Sequence, residues 1–397
     1  MEIHRPLDHH AFGDIRVQAF GHPVLAFHGG PVLPDPNFTQ LRHKRQDGVF
    51  DSFDENAQFD ARLPGEWVYV GPKYHHFGHI MSEMIHRILA SKLFFPDVQK
   101  YLLVTTSDDG EQPGFAGLCR AYQEVLEFCE IAPKDVHVLH ENSVVERLLI
   151  CEQGANFGGV PSPWYLEILR DFSARRLDQI HGSRRSPDKV YVSKSKITHG
   201  GTILGERYLE RLLRDEGFFV LHPEELSFSL QMDWYRKAKE LIFSEGSACH
   251  GTELLGTQML DRSFVLVRRM EMRPDLMNIL GSRSRQFGSF VDTFPLGTIA
   301  VHPETREPYM EFSVSIVDMD RLVSYLRDQR LARLDDVDLQ QYFDAAEEDL
   351  KAYFSYHMAS GIAQVDAWRL GDVRMEFEKI RRRFLAGHRL PASARLP

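Results

Sequence analysis

Residues 189–267 read KVYVSKSKITHGGTILGERYLERLLRDEGFFVLHPEELSFSLQMDWYRKAKELIFSEGSACHGTELLGTQMLDRSFVLV. Short apolar runs at 189–193, 218–221, 241–244 and 264–267 predict strands. Between them, residues 206–215, 229–239 and 247–259 carry apolar side chains at helical spacing. A βαβαβαβ run of this kind folds into a parallel sheet with helices on both faces. The stretch therefore predicts one Rossmann-like unit.

Working outward, the same alternation recurs upstream in a less regular form. Strands are expected at 67–70, 101–105, 136–139 and 147–151, with helices over 79–93 and 117–130. The first 65 residues are rich in Pro, Gly, Asp and His and predict short strands at 15–20 and 23–27. The polar, basic segment GSRRSPD at 182–188 reads as a hinge between two units. Beyond residue 292, a strand at 312–316 and helices at 320–330, 339–356 and 373–385 are expected, ahead of a frayed tail over 386–397. The expected fold class is α/β, with two Rossmann-like domains facing each other across a cleft and C-terminal helices behind them. Ligands of such sheets bind beyond the carboxyl ends of the strands.

The 397 residues suit two domains of ordinary size, and the 43% hydrophobic and 26% charged composition is that of a globular protein. A net charge of −10 speaks against general binding to nucleic acid or an anionic membrane, so an anionic ligand needs a local basic pocket. Residues 1–12 lack the apolar core of a signal peptide, and no run of about 18 apolar residues follows. A cytoplasmic protein is expected, with at most peripheral membrane contact. Cys119, Cys129, Cys151 and Cys249 form no CxxC pair, which predicts reduced thiols and no zinc framework.

Three segments carry candidate chemistry. The corner YHHFGHIMSEMIHR at 74–87 follows a strand and opens a helix. His79 and Glu83 stand four apart on one helical face, which His86 and Arg87 continue. A carboxylate that fixes an imidazole tautomer makes a general base, although the same pair also steadies a helix start. His75, His76, His79, Glu83 and His86 are dense in metal-ligand types, but no HExxH is present. The second segment, LIFSEGSACHGTELL at 241–255, runs from a strand through Glu245-Gly246-Ser247 into a helix. Amides at such a start accept an anion. In the third segment, Tyr191-Val192-Ser193-Lys194-Ser195, a lysine leaves the first strand of the second unit toward the cleft.

Together these segments resemble glycosyltransferase family 61, the group of bacterial capsule and lipopolysaccharide enzymes whose eukaryotic relatives add xylose or N-acetylglucosamine. The family's aromatic–Gly-His corner followed by an acidic residue appears as His76-Phe77-Gly78-His79 with Glu83, and His86-Arg87 stands in place of Pro-Arg. Its Tyr-hydrophobic-Ser-Arg stretch appears as Tyr191-Val192-Ser193-Lys194, then Gly205-Glu206 and Gly217-Phe218. Glu224-Glu225-Leu226-Ser227, Gln231 and Ala238 follow its next motif, and Gly246-Ser247-Ala248 with His250 its glycine turn. Lys194 replaces the motif Arg, residues 200–202 lack the second Arg, and Glu245-Gly246 replaces His-Gly.

The resemblance, strongest over 189–256, implies a GT-B fold. Residues 1–181 would form the acceptor-side domain, 182–330 the nucleotide-sugar-binding domain and 331–397 a helical extension. It implies an inverting transferase that moves a sugar from a nucleotide-sugar to a glycan or glycolipid acceptor in polysaccharide biosynthesis. No metal cofactor and no nucleic-acid partner are expected, and a homo-oligomer is compatible. His79 supported by Glu83 would be the base, with Glu245 the alternative. Lys194, Gly246, Ser247 and His250 would hold the donor, and Glu253 its ribose. A catalytically inactive sugar-nucleotide-binding or scaffold subunit and a metal-dependent hydrolase at the His-rich corner are the competing readings. A dehydrogenase lacks its GxGxxG and a serine hydrolase its GxSxG.

Overall fold

Where the chain first extends, β1 (His9–Gly21) buries Phe12, Ile15, Val17 and Phe20 against the core. The computed structural model describes residues 7–387 apart from 22–27, 36, 46–47, 50, 106–113, 198–199, 304 and 362–363. The strand expected at 23–27 and the end of the tail therefore lie outside the described residues. β1 is much longer than the 15–20 run because Gly13-Asp14 interrupts its alternation, Asp14 adopting φ 45°. It is followed by β2 (His28–Pro31), the small ladder β3 (Lys44–Arg45) with β4 (Gly48–Val49), and β5 (Ala61–Pro72). β5 carries an irregularity between Leu63 and Glu66, where Pro64-Gly65 reads as a turn in sequence but forms a bulge in the sheet.

From β5 the chain enters α1 (Phe77–His79), a π-helical stretch Ile80–Met84 and α2 (Ile85–Phe94). Next come β6 (Tyr101–Val104), α3 (Arg120–Phe128), β7 (Val136–Leu139) and β8 (Ser143–Cys151). The first sheet has the order β2-β1-β8-β5-β6-β7. Its β8, β5, β6 and β7 run parallel and β1 and β2 add an antiparallel flank. An antiparallel edge on a parallel core is a common form of mixed sheet.

A helix the apolar pattern did not announce, α4 (Pro163–His181), leads to the second sheet; Ser162 caps it, accepting from Tyr165 N at 3.2 Å. It ends at Gly182 (φ 55°). Then follow β9 (Lys189–Val192), α5 (Glu206–Asp215), β10 (Phe219–Leu221), α6 (Phe228–Lys237) and β11 (Glu240–Ser244). β12 (Leu260–Leu266), α7 (Pro274–Arg283) and β13 (Ser284–Phe290) complete this sheet. All five strands are parallel, in the order β10-β9-β11-β12-β13. Numbered along the chain this is 2-1-3-4-5, so the order reverses between β9 and β11. A crevice opens at such a switch point. Behind the sheet, Thr293–Gly297 pairs with Val314–Val317, and helices Met319–Asp328, Leu339–Ser360 and Ala367–Leu385 pack into a second apolar cluster with α5. No described helix is long and apolar enough to cross a membrane.

The helix expected over 247–259 is only a 3-10 segment, Ser247–Thr252. Gly251 and Gly256 weaken any helical continuation. Gly256 is also pressed backbone to backbone on α4, where a Cβ would lie 2.2 Å from Leu166 O. One apolar cluster spans both sheets, from Phe12 to Leu280.

A buried polar seam fastens that contact. Glu253, 3% exposed, follows the 3-10 segment and faces the π-helical stretch. Ser82 Oγ donates to its Oε1 at 2.7 Å, and His250 Nδ1 lies 3.1 Å from the same oxygen. Its Oε2 is 3.4 Å from His86 Nε2 and 3.6 Å from Arg283 Nη2. Arg283, wholly buried, also donates to the Glu253 and Leu255 carbonyls at 2.8 Å each. Burial alone would raise the Glu253 carboxyl, but hydrogen bonds from His250 and His86 and the Arg283 charge hold it well below the usual carboxylate range. Its contribution to stability is therefore present above the unfolded value of about 4.3 and disappears as pH falls below it. Glu253→Gln should cost about 3–5 kcal/mol at pH 7 by stranding Arg283. In urea unfolding it should also flatten the loss of stability below about pH 4.

Candidate active site

Chemistry concentrates where the first corner of the N-terminal sheet meets the switch point of the second. β5 ends at Pro72, and α1 begins five residues later with Phe77-Gly78-His79. The five-residue π-helical stretch behind it widens the turn, a distortion that recurs at functional sites. It divides the polar residues between two surroundings. Ser82 and His86 face Glu253, whereas Glu83 and Arg87 face the loop around residues 41–44. His86 thus leaves the face that a regular helix would give it.

Glu83, 1% exposed, is held between two imidazoles. Its Oε1 lies 2.5 Å from His79 Nδ1 and its Oε2 2.5 Å from His43 Nε2. With the proton on Nδ1 donated to Glu83, the His79 lone pair sits on Nε2. The His79 ring stacks on Phe157 at 5.3 Å, with Phe157 in turn stacked 6.3 Å from His250. His76 lies 5.0 Å from His79. Burial, then the neighbouring His79, His250 and Arg273, push the His76 ring down to about 4. His76 is therefore a neutral imidazole at physiological pH.

The other half of the site is cationic. β9 delivers Ser193 and Lys194 to the switch point, and β11 delivers Ser244 to Ser247. Glu206, buried at the start of α5, accepts from Tyr191 Oη at 2.7 Å, Ser193 Oγ at 3.2 Å and Lys194 N at 3.0 Å, which fixes the strand end. Half-buried Lys194 bends toward Gly246 and donates through Nζ to Gly201 O at 2.5 Å. Arg268, two residues past β12 and 5% exposed, donates to Ser313 O and Oγ at 3.0 and 2.8 Å and to Glu311 O at 3.1 Å. Gly201 must be glycine here, since a Cβ would lie 2.5 Å from the Ser313 backbone carbonyl oxygen and as close to that of Glu311. Desolvation and the adjacent Arg268 charge lower Lys194 to about 8, and desolvation and Arg269 lower Arg268 to about 10. Neither Lys194 nor Arg268 forms an ion pair with a carboxylate among the described residues. Glu245, 2% exposed, is turned away onto Arg269 and the Arg268 amide.

A cavity of about 320 Å³ opens at the glycine turn; Phe77 and Lys194 line it, whereas His79 and Arg268 stand behind its lining. Lys194, Gly246 and Ser247 line it together with Phe77 and Arg120, Glu124 and Glu224 add acidic groups, and Phe228 and Leu226 add apolar surface. That volume and mixed lining are those of a small-molecule site. The corner and the glycine turn touch directly, since a Cβ on Gly78 would lie 3.2 Å from His250 Cδ2.

Of the residues singled out in the sequence, Lys194, Gly246 and Ser247 line the cavity, and His79 and Glu83 form a pair beside it. Glu245 lies behind the turn, and His250 and Glu253 belong to the seam between the sheets. Sequence reasoning passed over Arg268, His43 and Phe157. Arg268 had a faint signal, two cations directly after an apolar strand in FVLVRR. His43 and Phe157 had none, because their partners are distant in the chain. Among the described residues no group of three or more His, Cys, Asp or Glu is arranged to hold a metal ion.

No curated protein matches the chain closely enough to count as a relative. The family model described as Glycosyltransferase 61 matches residues 77–255, beginning at Phe77 of the corner and ending just past Glu253. Residues 77–255, which include Lys194, Gly246 and Ser247 of the cavity as well as His79 and Glu83, are therefore similar to the glycosyltransferase 61 domain.

Proposed function

We propose that the protein is an inverting glycosyltransferase of GT-B type, moving a sugar from a nucleotide-sugar onto a glycan or glycolipid acceptor in polysaccharide biosynthesis. The observation that carries this reading is the pair Lys194, half-buried, and Arg268, buried: among the described residues neither forms an ion pair with a carboxylate, and Lys194 lines the cavity at the glycine turn. Glu206 and Glu245 offset only part of the charge through space, and desolvation with the neighbouring Arg268 still lowers Lys194, so a bound anion would relieve a real cost. A donor diphosphate supplies one. The first amides of the short helix after Gly246 have no intrahelical partner and add donors. With six residues that helix has little dipole, so the cations do most of the work. Arg268 supplies a guanidinium to a site whose sequence had seemed short of one, which favours an active enzyme over an inert subunit.

In the reaction, the acceptor hydroxyl gives its proton to His79 Nε2. Its oxygen bonds to the anomeric carbon from the face opposite the phosphate. The bond from that carbon to the phosphate oxygen breaks, and both electrons leave with the diphosphate. Glu83 stabilises the imidazolium that forms, and Lys194 and Arg268 stabilise the leaving charge. Nothing in this scheme requires a metal ion, and the cations take the part a divalent ion plays elsewhere.

Two outcomes follow. His79→Ala should lower the turnover number for transfer at least about 100-fold while nucleoside diphosphate binding, read by calorimetry, stays within about twofold. Undiminished transfer would remove His79 from the role. Binding of a nucleoside diphosphate needs charged Lys194, so its affinity should fall as pH rises through about 8, by at most about tenfold per pH unit. Lys194→Arg, charged throughout, should erase that dependence. An unchanged pH profile in that variant would assign the effect to another group.

A further inference from the structure

The wholly enclosed carboxylate of Glu83 has one oxygen on His79 and the other on a histidine that no helical spacing connects to it. His43 Nε2 lies 2.5 Å from Glu83 Oε2, across 40 positions of sequence. His43 is 3% exposed, and its backbone amide donates to Asp51 Oδ2 at 3.1 Å. Asp51 is in turn bound by Arg42, its Oδ1 2.6 Å from the Arg42 guanidinium, and packing around Arg87 closes the other side: Arg87 Nη1 donates to Leu41 O at 2.8 Å. The loop is thus pinned on both sides of His43, and the ring is delivered to Glu83 in one pose.

We propose that His43 is a positioning residue, which fixes the orientation of Glu83 and through it the tautomer and direction of His79. This rests on His79 being the base. A carboxylate with a donor at each oxygen is held in one rotation, and with one donor it turns to satisfy the other. Turning Glu83 moves Oε1 away from Nδ1, and the imidazole then loses the bond that keeps its lone pair on Nε2. Burial pushes His43 below its ordinary value, Glu83 and Asp51 pulling upward and Arg87 downward, so at neutral pH it donates as a neutral ring. Its part is to orient, not to move protons to or from substrate.

The test compares donors with non-donors at position 43 in the full chain. His43→Leu keeps the volume and removes the donor, and His43→Asn keeps a polar group too short to reach Oε2. His43→Gln places an amide N–H near the position of Nε2. The turnover number should fall about tenfold or more in the first two, with donor KM within about twofold, and largely recover in His43→Gln. In a His79→Ala background the same Leu or Asn change should alter the residual rate less than about twofold, because His43 acts only through His79. Should His43→Leu fail to fold, the Asn and Gln variants carry the comparison. Wild-type turnover in the non-donor variants, or an equal loss with and without His79, overturns the role of His43. Full activity of His79→Ala alone instead overturns the base on which the inference stands.

Discussion

Two positive groups stand near the glycine turn, and among the described residues no carboxylate forms an ion pair with either of them. Holding these cations there costs free energy in the unliganded protein: desolvation and the Arg268 charge lower Lys194, and desolvation with Arg269 lowers Arg268. Much of the surrounding architecture can be understood as holding that arrangement in place. Glu206 anchors the backbone of Lys194 instead of its ammonium. Carbonyls at 311 and 313 and the Ser313 hydroxyl take the guanidinium of Arg268. Gly201 has no side chain because there is no room for one. Glu245, the nearest acid in sequence to the turn, is turned onto Arg269. The proposed donor diphosphate would meet that charge.

Topology explains why the charge lies where it does. In a parallel sheet of order 2-1-3-4-5, the connections after the first and third strands leave on opposite faces, and the gap between them admits a ligand. Here that gap separates Lys194 from Gly246. The first sheet closes it from the other side with Phe77 and α3. The seam of Glu253, Ser82, His86, His250 and Arg283 keeps the His79 corner against the turn, so the imidazole and the cations keep a fixed relation. Stability and function share these residues. A charge change in the seam reaches both.

The parts legible in the sequence are those whose signal is local. The strands at 189–193, 241–244 and 264–267 are buried apolar runs bounded by polar turns, and they appear as β9, β11 and β12 with small shifts at their ends. His79 and Glu83 pair across one helical turn, and that spacing survives the π-helical distortion. Less legible was β1, where a positive φ at Asp14 breaks the alternation, and β5, where Pro64-Gly65 imitates a turn. The helix expected after Ser247 stops at Thr252, because Gly256 is claimed by contact with α4. Glu253, expected from the resemblance to meet the donor ribose, has protein partners from α2, α7 and the π-helical stretch that only the fold brings near. Arg268 and His43 were hidden for the same reason. A cation after a strand looks alike whether it meets solvent or an anion, and no periodicity links residue 43 to residue 83.

The central claim is that a leaving diphosphate is held at the switch point within reach of the imidazole corner. A structure determined with a nucleoside diphosphate bound tests it most directly. Diphosphate oxygens are expected within hydrogen-bonding distance of Lys194 Nζ and the Arg268 guanidinium, with the terminal phosphate directed toward His79. A nucleotide seated elsewhere, or in the cavity with its phosphates pointing away from both cations, would contradict it.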